Sequence, residues 1–185
     1  YTNPELIKEN GPQVFRSGRG VEVKDIDGNS YIEGMSGLWC ASLGFNEIEL
    51  VEAAITQMKK LPFYHSFTGK TCESTINLSE KLIEVAPNNL KKVFFCNSGS
   101  EANDTAIKIV WYYHASLGNP QKRKIISRKG SYHGVTLAAA SLTALDYAQK
   151  GFGLPLDFAI HTSWPHYFQN SNENESEEVF WNRLV

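Results

Sequence analysis

The 185-residue sequence is short of cysteine, of methionine and of any surplus of charge, and each shortage removes a class of function. Cys40, Cys72 and Cys96 are odd in number and widely spaced, with no C-x-x-C among them. They read as reduced thiols in a cytoplasmic setting rather than as a bridged framework. A formal net charge of −2 leaves no electrostatic footprint for nucleic acid. No apolar run reaches membrane-spanning length, and no signal-peptide pattern opens the chain. The five histidines show no ligand spacing, so no metal site is expected.

What is present is an ordinary globular composition, 42% hydrophobic and 21% charged, organised around Val93–Asn103. Val93-Phe94-Phe95-Cys96 is a short β-favouring run and reads as a buried strand. It leads into Asn97-Ser98-Gly99-Ser100-Glu101, after which Ala102, Ala106, Ile107, Val110 and Trp111 recur at helical spacing. Ser98 and Glu101 stand in the S-x-x-E relation of a capping box, which marks a first helical turn. Such a turn has N–H groups without intrahelical partners and a partial positive charge. Gly99 has no side chain to hold a ligand away, and Ser100 adds a hydroxyl, so the turn suits a phosphate. The P-loop pattern G-x-x-x-x-G-K-[ST] is absent, which points to a cofactor anchor rather than a phosphate-transferring site. A capping box alone, however, does no more than start a helix in any α/β protein.

Around this centre the pattern alternates. Val14–Arg16, Val21–Asp25 and Ser30–Glu33 are strand-like, and Asp27-Gly28-Asn29 is a hairpin turn between the last two. Gly34–Phe45 is glycine-rich and irregular, with Trp39 in its middle. Ile48, Val51, Ala54, Ile55 and Met58 share one helical face that Pro62 ends, and Thr75–Ala86 reads as a second amphipathic helix. Lys124–Ser127 and Ala159–His161 read as strands, with Gly130–Gly134 turning into a helix that runs to about Leu145. Strands alternating with helices imply βαβ units around a mostly parallel sheet. Consecutive strands of such a sheet open onto one crevice, which places Tyr132 beside whatever Gly99 and Ser100 anchor. Gln169–Glu178 is polar and acidic and reads as a solvated loop.

The run Asn97–Asn103, with Ser131-Tyr132-His133-Gly134 downstream and Gly34–Phe45 upstream, resembles the class III pyridoxal-phosphate-dependent aminotransferases, in particular their ω-amino acid (amine):pyruvate branch. The resemblance implies an α/β fold of the fold type I, aspartate aminotransferase-like transferases, with a small antiparallel segment at the amino terminus. Residues 1–47 would belong to the small domain and 48–185 to the first part of the large cofactor-binding domain. It implies that Ser98, Gly99 and Ser100 hold the phosphate of pyridoxal 5'-phosphate, that Tyr132 stacks on its ring, and that His133 sits behind. Trp39 would wall the amine pocket, and Phe67 would reach into the site of a partner subunit in a homodimer. Trp39 favours this branch, since ornithine- and GABA-type members usually lack a Trp there. The implied partners are an amine or ω-amino acid and a keto acid such as pyruvate.

One departure is large. The family's Schiff-base Lys, the carboxylate facing the pyridine nitrogen and the Arg for the substrate carboxylate have no match, although thirteen lysines are present. A pyridoxal-phosphate enzyme needs that Lys for covalent and proton-transfer chemistry. The expectation is therefore an amino-terminal part, with the Lys beyond Val185 and no activity in this chain alone. An aminomutase or decarboxylating transaminase of the same fold, and a truncated non-catalytic dimerisation partner, stay open as alternatives.

Overall fold

At Asp27-Gly28-Asn29 the chain reverses between two strands, and Gly28 takes the left-handed φ of 88° that the turn demands. These strands belong to the first of two units into which the computed structural model, describing residues 4–184, divides between residues 85 and 86.

The first unit opens with α1 (Pro4–Asn10) and a three-stranded antiparallel sheet of β1 (Phe15–Arg19), β2 (Glu22–Asp25) and β3 (Ser30–Ile32), in that order. Asp25, buried at the end of β2, locks the turn. Its carboxylate accepts from Asp27 N at 3.0 Å, Asn29 N at 2.8 Å, Asn29 Nδ2 at 2.9 Å and the Tyr31 hydroxyl at 2.9 Å. These bonds, the Asn29 side chain foremost, hold its pKa below the ordinary carboxylate value against the opposing pull of burial. Gly20 and Phe45 exchange backbone hydrogen bonds at 2.9 and 2.8 Å, which returns the glycine-rich loop to the sheet.

That loop contains α2 (Ser36–Trp39), a single turn with a left-handed backbone: φ is 52° at Ser36, 59° at Gly37, 58° at Leu38 and 70° at Trp39. Left-handed helix costs a non-glycine residue roughly 1–2 kcal/mol. Three of these four residues carry a Cβ, so the turn needs external support. Glu33 supplies it, accepting Met35 N at 3.1 Å and Gly37 N at 2.6 Å. Hydrogen bonds to a charged group contribute about 1.5–3 kcal/mol each, enough to offset a cost of that size. Two amphipathic helices follow, α3 (Ile48–Lys60) and α4 (Glu73–Val85), joined by a Lys60–Glu73 ion pair at 2.5 Å. Their positions agree with the hydrophobic spacing, and the apolar face of α3 is uncovered: neither helix buries a residue.

The second unit begins with α5 (Gly99–Ser116), followed by β4 (Ile125–Arg128), α6 (Leu137–Leu142), α7 (Asp146–Gln149) and β5 (Ala159–Thr162). β4 and β5 pair in parallel, Ile125 opposite Ala159 through Arg128 opposite Thr162. Parallel neighbours need a crossover, and α6 and α7 provide it. The core sits against α6, where Ala139, Ala140, Ser141 and Leu142 are all buried, with Ile107 of α5 beside them in the same unit. Small side chains at successive positions let α6 approach β4 closely enough for the Ser127 hydroxyl to donate to Leu142 O at 2.8 Å. The expected single helix to Leu145 stops at Leu142 and restarts as α7, with Thr143 turned inward.

Two expectations are corrected. Val93–Cys96 forms no strand: the segment carries no ladder pairing, and Phe94 is 72% exposed. A strand exists only where a neighbour takes its backbone hydrogen bonds, and no described residue does so here. Residues 169–178 are not a merely solvated loop either. They run from the end of α8 (Tyr167–Asn170) into the first turn of α9 (Glu177–Leu184) and carry Glu175, whose side chain is 5% exposed. Glu175 accepts both arms of Arg183, at 2.8 and 2.9 Å, and Asn172 N at 2.8 Å, beside the fully buried Phe180. Low hydrophobicity hid this closure, because a charged pair holds it.

The Arg183 guanidinium, with Asn172 N, lowers the Glu175 pKa from its ordinary 4.5 to about 2. The folded value lies below the unfolded one, so the stabilisation is complete above about 4.5 and is lost as pH falls through about 2. Glu175→Gln should therefore lower Tm near neutrality and make no difference at the acid end of that window. A Tm gap that stays constant across the window in thermal melts would show that the pair does not contribute.

Candidate functional site

α5 begins because Ser98 holds an extended backbone, φ −154° and ψ 161°, and its hydroxyl accepts Glu101 N at 3.2 Å. Glu101 closes the return arm one residue earlier than a standard capping box, accepting Asn97 N at 3.0 Å. Ala102 N donates to Ser98 O at 3.1 Å. The N–H groups of Ser98, Gly99 and Ser100 have no protein partner among the described residues. A Cβ built on Gly99 would meet nothing within 4 Å, so the start of the helix is open to an approaching group. These donors and the positive end of an 18-residue helix form an anion-accepting surface, an effect of about 0.3–1 kcal/mol per charge in exposed settings.

The second expected motif is stapled to this helix. Ser100 Oγ accepts Val135 N at 3.0 Å, Asn103 Nδ2 donates to His133 O at 2.6 Å, and Asp104 Oδ1 accepts the Thr136 hydroxyl at 2.8 Å and Ala139 N at 3.0 Å. The contact is close. A Cβ on Gly134, which has φ 131°, would lie 2.5 Å from Ser100 Oγ and 2.9 Å from Ala139 Cβ, so only glycine fits. His133 is absorbed by its own loop: its N–H donates to Thr143 Oγ1 at 2.8 Å, and its Nε2 lies 3.0 Å from Ser131 Oγ. Ser131 spends its one hydroxyl hydrogen on Arg128 O at 2.5 Å, so the imidazole Nε2–H donates to Ser131. Tyr132 projects from this fixed loop with its side chain 56% exposed.

Ser98, Gly99, Ser100, Tyr132 and His133 are thus gathered in the second unit, at the start of α5 and the loop bonded to it. Trp39 and Phe67 belong to the first unit, 75% and 74% exposed. Sequence reasoning missed Asn103, Asp104, Thr136 and Thr143, which fix the loop. Asp104 sits one helical turn beyond Ser100, a spacing that places both on one face of α5 and was the available signal. Thr136, in the N-cap position of α6, makes no cap bond itself; Asp104 caps that helix from outside.

The family model for aminotransferase class-III matches residues 7–183. The chain belongs to the class-III aminotransferases. The vanillin aminotransferase of Capsicum frutescens is 48% identical over 175 residues, which is 94% of this chain and 38% of that protein. The crystal structure of the omega transaminase from Pseudomonas jessenii in complex with PMP is 51% identical, with a TM-score of 0.94, covering all of this chain and 41% of that one. A thermostable omega transaminase variant, changed at a tryptophan, a phenylalanine and an arginine and engineered for asymmetric synthesis of enantiopure bulky amines, is 50% identical, with a TM-score of 0.94 and coverage of 100% and 41%. The class-III chain therefore spans less than half the length of these relatives. Its architecture is that of the fold type I transferases, with a small antiparallel sheet and a parallel pair.

Asp104→Ala would leave Ala139 N, on a fully buried residue, without an acceptor. The expected loss is about 1–3 kcal/mol of unfolding free energy, with Asp104→Asn milder because its amide oxygen still accepts. Denaturant titration checks this, and a change under about 0.5 kcal/mol for Asp104→Ala would mean that α6 does not depend on the cap.

Proposed function

We propose that the whole protein is a pyridoxal 5'-phosphate-dependent transaminase that moves an amino group from an amine or ω-amino acid to a keto acid such as pyruvate by a ping-pong sequence. The observation that carries this reading is the row of open N–H donors at Ser98–Ser100 with Tyr132 fixed beside it, in a chain of the class-III family. The donor set fits the cofactor's phosphate: the open groups are N–H and O–H hydrogens, and the Gly99 position is empty of side chain. When bound, the cofactor supplies a carbonyl for the amino group and a ring that withdraws electrons.

Each residue here has a holding role. Gly99 and Ser100 donate to the phosphate, and Ser98 keeps the helix start in place while offering its remaining hydroxyl hydrogen. Ser100 already accepts from Val135, so its own hydrogen is left to give, and phosphate contact and loop position are set by one side chain. Tyr132 covers one ring face and excludes water from it. His133 transfers no proton in this reading; it fixes Tyr132 through its bonds to Thr143, Asn103 and Ser131. The Lys, the carboxylate and the Arg of the reaction have no match among these 185 residues, and no role of theirs is assigned to a residue of this chain. In the whole protein, residues 1–47 form part of the small domain and 48–185 the first part of the large one. Two copies share their sites, and Phe67 reaches into the partner's. Three unpaired thiols suit a reducing compartment, the cytoplasm among them. Among the described residues no helix is long and apolar enough to cross a membrane.

Trp39 is read as a wall of the amine pocket. The tryptophan and phenylalanine changed in the bulky-amine variant lie 28 positions apart, the separation of Trp39 and Phe67, which supports this reading.

In the whole protein, Ser100→Ala should weaken cofactor binding about tenfold to a hundredfold, the worth of one charge-assisted hydrogen bond. Tyr132→Ala should also weaken it, and equilibrium titration with pyridoxal 5'-phosphate measures both. Dissociation constants unchanged in both variants would reduce the row of donors to a helix cap. Trp39→Cys should speed turnover of bulky aryl amines and leave the cofactor spectrum as it is. A large fall in Tm with an unaltered amine profile would make Trp39 structural.

A further inference from the structure

The turn that carries Trp39 is bonded by two side chains among the described residues, Glu33 and Cys40. Leu38 and Trp39 are 61% and 75% exposed, so packing does not impose their left-handed backbone. Within the turn, Trp39 N donates to Met35 O at 2.9 Å and Ala41 N to Ser36 O at 2.8 Å, but these bonds close a left-handed turn without selecting it. Among the described residues, Glu33 is the side chain that takes the turn's N–H groups, its two carboxylate oxygens accepting separate donors: Oε1 takes Met35 N and Oε2 takes Gly37 N, while the Cys40 thiol makes one weak bond to Leu38 O at 3.7 Å. Both donors precede Leu38 and Trp39, so the carboxylate fixes the direction in which the indole leaves the backbone. Non-glycine residues persist in this region only where their surroundings over-determine it.

We propose that Glu33 is a positioning residue for amine selection: its carboxylate holds the Ser36–Trp39 turn left-handed and so fixes the indole that limits substrate bulk. This rests on the reading of Trp39 as a pocket wall. Neutralising Glu33 to Gln replaces one acceptor by an NH2 that faces a backbone N–H, which frees the turn to relax toward right-handed or extended backbone. The indole then samples several positions, and larger amines enter.

Two readouts on the whole protein test this. The first is 19F NMR of protein labelled with 5-fluorotryptophan, in which the signal of Trp39 is identified by its loss in Trp39→Gly. Glu33→Gln should shift or broaden the Trp39 signal and leave the other tryptophan signals in place. The second is the ratio of kcat/KM for a bulky aryl amine to that for a small alkyl amine, which should rise about tenfold in Glu33→Gln, as it does on removing a group that limits a pocket. In a Trp39→Gly background, Glu33→Gln should add nothing to the ratio, because the group it positions is gone. Should Glu33→Gln fail to fold, Gly37→Ala strains the same turn, its Cβ 3.5 Å from the Phe45 ring at φ 59°, and should move both readouts the same way. An unmoved Trp39 signal, or an unmoved ratio while Trp39→Gly raises it, overturns the proposal and leaves the pocket reading intact. A ratio that Trp39→Gly itself does not change overturns the pocket reading, and the proposal with it.

Discussion

An α-helix cannot satisfy its own first N–H groups, and the second unit of this class-III chain is arranged around how α5 meets that deficit. Ser98 takes the N–H groups of Glu101 and Ala102 through its hydroxyl and carbonyl, and Glu101 reaches back to Asn97. Those of Ser98, Gly99 and Ser100 are left over. The same first turns present Ser100, Asn103 and Asp104 along one side, and these fasten residues 133–139 to the helix. One set of helix-start residues therefore both leaves donors open and determines what stands next to them. Had Ser100 bonded within its own helix, the open donors would persist but the Tyr132 loop would lose its nearest anchor.

The polar staples matter because the apolar core they accompany is thin. Ala139, Ala140, Leu142 and Ile107 are small or few, and apart from the fully buried Phe180 many larger side chains of the unit, Phe94 and Phe95 among them, are exposed. Alanine at successive positions brings α6 close to its neighbours and makes its bonds short, but it contributes little transfer free energy per residue. Directional bonds from Asp104, Thr143 and Ser127 carry the placement instead, and their geometry is stricter than that of apolar contacts.

How much of this was legible in the sequence follows from what kind of force made each element. The Asp27-Gly28 hairpin, the α3 helix up to Pro62 and the β4 and β5 segments are local decisions, made by turn chemistry and periodicity, and the reading placed them within a residue or two. Val93–Cys96 had the composition of a strand but lacked neighbours, since composition does not supply the other half of a ladder. The Glu175–Arg183 closure was invisible because acidic residues in a polar run signal solvent unless their cation is known. The left-handed turn at Ser36–Trp39 was hidden for a related reason: Leu and Trp have no preference for it, and the carboxylate that stabilises it sits three residues upstream. At the site, Gly99, Ser100 and Tyr132 were read from spacing, whereas the fasteners Asn103 and Thr143 act 10 to 30 residues along the chain and left no local mark.

The parallel pair β4–β5 has one further consequence, for the fate of the polypeptide in a cell. A two-stranded ribbon has two outer edges, and among the described residues neither is paired. Ile126 and Ile160 stand 66% and 40% exposed on it. An unpaired edge that exposes β-branched residues is a template on which another chain can add a strand. With these edges uncovered, the ribbon is a point of entry for aggregation, a hazard set by unpaired backbone rather than by any side chain of the site.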